Sequence, residues 1–136
     1  MCYFPAMADG LVTLRSAFDP AETKARLLAI LKEKGLTVFA DIPHANGAAK
    51  AGLVLGPSDL VIFGKPEGGT PLMQAAPTAG IDLPLKALIW RDDAGVTWIS
   101  YNDPRWIAVR HGLEASTGDG LAAAIGAFAK HATGGE

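Results

Sequence analysis

Hydrophobic residues recur at helical spacing just after residue 20. Ala21, Ala25, Leu28 and Leu31 share one face, and Leu27 and Ile30 widen it. Asp19 stands ahead of them as a helix cap, Pro20 takes the first helical position, and Glu22 follows three residues after the cap. A proline is harmless there, because its missing N–H would have no partner in a first turn. Gly35 supplies the left-handed stop. The period then changes from helical to alternating. Leu36, Val38, Ala40 and Ile42 fall on one side, with Thr37, Phe39 and Asp41 on the other. That pattern predicts a half-buried strand, ended by Pro43.

Further strands are predicted at Gly10–Arg15, Leu60–Phe63, Leu83–Arg91 and Val96–Tyr101. The last two are joined by Asp92-Asp93-Ala94-Gly95, a sequence with hairpin chemistry. Residues 44–53 have room for one short helix. Thr70 and Pro71 read as the cap and first residue of one or two helical turns to Ala76, followed by a connector over Pro77–Gly80. Asp103 caps a short helix from Pro104 to about Arg110. Leu121, Ile125, Phe128 and Ala132 trace a closing helix, capped by Thr117 or Asp119. The order β-α-β-β-β-β-α does not sustain alternating βαβ units. It predicts an α+β fold with a mainly antiparallel sheet of four or five strands and two main helices packed on one face.

Composition narrows the function. A chain of 136 residues fits one domain, expected over 9–133, with a loosely ordered leader at 1–8 and a frayed tail at 134–136. The net charge of −2, with both signs interleaved, argues against a nucleic-acid surface. Cys2 alone cannot form an intrachain disulfide or a thiolate zinc site, which suits a reducing, cytoplasmic setting. No apolar run approaches the roughly 20 residues that span a bilayer, so no membrane partner is expected. His44, His111 and His131 lack metal-ligand spacing, and no metal or cofactor is expected. No Gly-x-Ser-x-Gly elbow is present.

Several blocks carry candidate chemistry. Gly64–Met73 holds Lys65, Gly69, Thr70 and Met73 among glycines and prolines. It reads either as a strand-to-helix connector or as a cradle whose free N–H groups favour an anion. It is not a Walker A loop, because Lys65 is followed by proline and the upstream glycine spacing is wrong. Tyr101 and Asn102, beside Asp103, offer a phenol and an amide at a strand end; they can orient a ligand or simply shape a turn and cap a helix. Arg110 and His111 suit an anion and a proton transfer respectively, or a helix C-terminus. His44 follows a strand-ending proline, a position open to a site residue or a structural one.

Taken in order, Phe63-Gly64-Lys65-Pro66, Gly69-Thr70-Pro71-Leu72-Met73, Asp82-Leu83-Pro84-Leu85-Lys86, Tyr101-Asn102-Asp103-Pro104 and Arg110-His111 resemble domain-of-unknown-function family 302, found mostly in bacteria. The resemblance implies a compact α+β domain that associates as a homodimer, and it implies no particular reaction. Family members tend to carry Asp-His where this chain has Pro43-His44, and Asn where it has Lys65. The added cation points toward anionic ligands. Three functions compete. One is a domain that binds a small carboxylate or phosphate through the Gly64–Met73 loop, His44, Asn102 and Arg110. Another is a small enzyme with His44 or His111 as general base. The third is a dimerisation module with its contact centred on Gly64–Pro84.

Overall fold

The structure is a computed structural model that describes residues 8–135. Cys2 and all of the expected leader except Ala8 lie outside those residues. Five strands form one antiparallel sheet: β1 (Leu11–Arg15), β2 (Thr37–Pro43), β3 (Ser58–Gly64), β4 (Leu85–Arg91) and β5 (Thr97–Asn102), in spatial order β1-β5-β4-β3-β2. Helix α1 (Pro20–Glu33) and the closing helix α5 (Asp119–Thr133) pack together on one face of it. The shorter helices are α2 (His44–Lys50), α3 (Pro66–Ala75) and α4 (Pro104–Arg110), with 3-10 turns at Pro77–Asp82 and Ala115–Gly118. The α+β class, the antiparallel sheet and the two main helices all agree with the expectation.

Local chemistry explains why α1 starts where it does. The Asp19 carboxylate accepts the Glu22 N–H at 2.8 Å, and Gly35, at φ +76°, terminates the helix in the left-handed region that side chains avoid. Leu27 and Leu31 then reach Val61 and Phe63 of β3, Leu85 and Ile89 of β4, and Ile125 and Phe128 of α5. Each such side chain contributes about 1.5–3 kcal/mol by leaving water. The hairpin turn is equally local, with Asp92 accepting the N–H groups of Ala94 and Val96 at 2.9 Å each.

Three expectations are corrected. Strand β2 is not half-buried: Ala40 is its sole partly covered residue, and Phe39 is 57% exposed. It forms one edge of the sheet, and a bulge between Val38 and Ala40 breaks the alternation. What anchors it is Lys24 of α1, whose Nζ lies 2.7 Å from Asp41 and 3.1 Å from Asp59. Burial opposes the Lys24 charge, yet the two carboxylates outweigh it and hold the ammonium above its ordinary pKa. Second, α3 begins at Pro66 behind Lys65, so Thr70 and Pro71 lie inside the helix rather than at its start, and the connector becomes a 3-10 turn. Third, neither Thr117 nor Asp119 caps α5; Gly118 occupies that position and makes no side-chain bond.

Candidate functional site

A second, smaller core forms where Leu72 of α3, Ala79 of the 3-10 turn, and Ile107 and Ala108 of α4 come together. Leu83 and Leu121 pack against both cores. Between the two, at the end of the sheet where β3 stops and β4 begins, a cavity of about 590 Å³ opens. That volume lies within the range of small-molecule sites. Strand ends and their connections supply Gly64, Leu83, Pro84 and Leu85; α3 supplies Gly68, Gly69, Thr70 and Met73. Helix α5 contributes Leu121, Ala124 and Phe128, and Phe39 comes from the β2 bulge.

Close packing of α3 depends on its glycines. A Cβ at Gly68 would sit 3.0 Å from Leu121, a tight approach, whereas one at Gly69 would meet Leu83 at 3.5 Å and Met73 at 3.7 Å in ordinary contact. Among the described residues, Lys34 and Lys65 are the sole charged side chains lining the cavity, and Thr70 adds the sole neutral polar one. Lys34 lies 3.9 Å from the Glu33 carboxylate, with both side chains more than half exposed, so that pairing is weak. Lys65 makes no ion pair among the described residues. The cavity is therefore an apolar chamber with cations among its lining groups.

The sequence-derived candidates divide between several places. Lys65, Gly69, Thr70 and Met73 line the cavity; His44, Tyr101, Asn102, Arg110 and His111 do not. His44 opens α2 at the far end of β2, a strand length of roughly 20 Å away. Tyr101 packs on the main core, with its hydroxyl beside Gly126 of α5, and burial followed by the Asp103 charge raises its pKa. Asn102 ends β5 in register with Leu11, while Asp103 caps α4 by accepting the Arg105 N–H at 2.9 Å.

Arg110 and His111 belong to a cluster that sequence spacing did not reveal. One Arg110 guanidinium nitrogen reaches both Asp82 carboxylate oxygens at 2.8 Å. His111 places Nε2 2.6 Å from Asp82 and Nδ1 2.8 Å from the Thr78 hydroxyl. Burial works against the Asp82 charge, but His111 and then Arg110 overcome it and hold the carboxyl below its ordinary pKa. The Thr-His-Asp string is a relay in outline. None of its three members lines the cavity, and Asp82 is already engaged by Arg110. Its position gives it another role: Asp82 directly precedes Leu83-Pro84-Leu85, so the cluster braces that cavity wall against α4. The one sequence clue was Asp82 itself, 28 residues from Arg110 and without any local spacing signal.

The described residues contain no group of three or more His, Cys, Asp or Glu placed to hold a metal, and no helix long and apolar enough to cross a membrane. The family model for the domain of unknown function DUF302 matches residues 12–130. This chain belongs to the DUF302 family. A solved DUF302 protein from Bacillus stearothermophilus shares the fold, with a TM-score of 0.75 and 20% identity over 93% of this chain and 97% of that one. Two curated relatives are called fluoride-specific ion channel FluC 1, from Brucella suis biovar 1 and Brucella abortus biovar 1. Each is 44% identical over 96% of this chain, which covers 54% and 51% of them respectively. The DUF302 chain thus spans about half the length of these relatives.

Proposed function

We propose that this DUF302 domain binds a small molecule bearing an anionic group in the cavity between its two cores. The observation that supports this is the charge of the lining: Lys34 and Lys65 are cationic, and among the described residues no carboxylate lines the chamber. An anion there gains from both ammonium groups, which are solvent-exposed, so the attraction weakens as salt is added. The ligand site therefore centres on Lys65, Gly69, Thr70 and Met73, with Arg110 and His111 left to brace the wall. An enzymatic reading with His44 or His111 as base finds neither of them in the lining of this cavity. Nor does the relatives' fluoride-channel name supply a ligand, since the matched part is half of those proteins and its helices here are too short to cross a membrane.

Calorimetric titration with a panel of carboxylates and phosphates tests the proposal. Lys65→Glu is expected to weaken binding of the best anion at least tenfold, and Arg110→Gln to leave it within twofold. Equal loss in both variants would move the site to the Asp82 cluster.

A second reading concerns a partner, and a separate observation supports it. Of eight large hydrophobic side chains exposed among the described residues, six lie between Val38 and Leu55, with Val54 fully exposed. So many large apolar side chains left exposed along one stretch of chain support an association site there. Only Asp41 and Lys50 carry charge over residues 37–57, and they cancel. A two-fold contact here would oppose no cluster of like charges. We infer a homodimer through the 38–55 segment, rather than through Gly64–Pro84. Val54→Lys combined with Leu53→Asp is expected to shift the light-scattering mass from dimer to monomer; a wild-type chain that is monomeric at tens of micromolar overturns it.

A further inference from the structure

We propose, resting on the anion-binding reading above, that the ligand is an anionic amphiphile: a single carboxylate or phosphate head on a hydrocarbon body. The lining argues for the body as strongly as the lysines argue for the head. Of sixteen lining residues, only Lys34, Lys65 and Thr70 have polar side chains. The other lining side chains, such as Leu36, Leu85, Leu121 and Phe128, cannot satisfy a donor or acceptor, and the glycine backbone at Gly64, Gly68 and Gly69 belongs to the same segment as Lys65, where the head would sit.

Hydroxyls or amines placed against these walls would lose their water without replacement. Each stranded group lowers affinity by about tenfold or more. Sugar phosphates, amino acids and dicarboxylates are thereby disfavoured, although each carries the right charge. A hydrocarbon body suffers no such loss and gains with every methylene taken out of water. Met73 adds a flexible, polarizable surface that can follow chains of different shape. The two lysines can anchor the head, and the volume of about 590 Å³ sets an upper limit on the body.

The test is a calorimetric series on the full chain, below the micellar concentration of each probe, using acetate, hexanoate, octanoate, decanoate and dodecanoate, with decyl phosphate, decanol, succinate and inorganic phosphate. Affinity is expected to rise by about fourfold for each added methylene until the chamber is full, then to level off. Lys34→Gln with Lys65→Gln is expected to weaken decanoate and decyl phosphate by about tenfold while decanol stays unchanged. These side chains are exposed, so the double variant will fold. Gly69→Leu, which fills space beside Leu83 and Met73, is expected to abolish binding of all three.

Acetate, succinate or phosphate binding as tightly as decanoate would overturn the amphiphile and leave the anion reading standing. The same holds for a flat chain-length series. Decanol matching decanoate, with no effect of the lysine variants, would overturn the anion reading and with it the charged head. If no probe binds, both readings fall.

Discussion

Replacing Gly118 by alanine is expected to destabilise the protein by about 3 kcal/mol or more, at the upper end of what overpacking does. The backbone angle is not the cause, since φ is −92° at this residue, a value open to any amino acid. Space is the cause. A Cβ here would lie 2.3 Å from the Pro104 carbonyl oxygen, 2.6 Å from its carbon and 2.8 Å from the Arg105 nitrogen. All three are backbone atoms, and Pro104 is fully buried, so no side chain can swing aside. The Ala115–Gly118 turn would have to lift off α4, loosening the helix that ends in Arg110 and His111. Gly120, two residues on, makes the control. Nothing lies within 4 Å of its Cβ position, it sits in the first turn of α5, and alanine there is expected to stabilise by about 0.5–1 kcal/mol. Urea unfolding of both variants reads the opposite signs directly; a Gly118→Ala chain as stable as wild type would refute the close approach.

Phe63→Ala is expected to cost about 3–5 kcal/mol, a large part of the 5–15 kcal/mol that typically holds a domain together. Phe63 is completely buried at the end of β3, paired with Leu85 of β4 and set edge-on against Phe128 at 6.3 Å. Its removal leaves a void bounded by neighbours from two layers, which strand pairing and helix packing keep from closing. The urea midpoint should fall by about 2 M at the slope usual for a chain of this size. The change should also reach the ligand chamber, because Phe128 lines it and loses its main aromatic support. Phe39→Ala offers the contrast. That ring is mostly exposed, so stability should move by less than about 0.5 kcal/mol, whereas ligand affinity should drop. Comparable losses of stability in the two variants would contradict the burial assigned to them.

Elements whose ends are set by neighbours in the chain were legible in advance. Helix α1 carries its own cap and stop in Asp19, Pro20 and Gly35, the β4–β5 turn carries Asp92, and α4 carries Asp103-Pro104. Where two local solutions compete, local chemistry does not choose between them. Thr70-Pro71 is chemically the better helix start, but Lys65-Pro66 is the one used, because the longer helix brings Gly68 and Gly69 against Leu121 and Leu83. The alternation in β2 likewise records a strand without saying whether any layer lies over it. At the site, the Gly64–Met73 stretch was visible as a glycine-rich connector bearing Lys65. Lys34, Leu83, Leu121 and Phe128, which complete the chamber, are ordinary helix and strand residues with no local mark.

The sequence by itself determined the α+β class, the capped helices, the antiparallel hairpin and a lone cation in a glycine-rich loop, because each depends on contacts within a few residues. Tertiary structure alone decided that Asp82 takes Arg110 and His111, that β2 becomes an exposed edge strand, and that Lys65 shares an apolar chamber with Lys34. Those outcomes depend on which surfaces meet when two small cores pack around Leu83 and Leu121, and side chains 28 or more residues apart leave no periodic trace of that meeting.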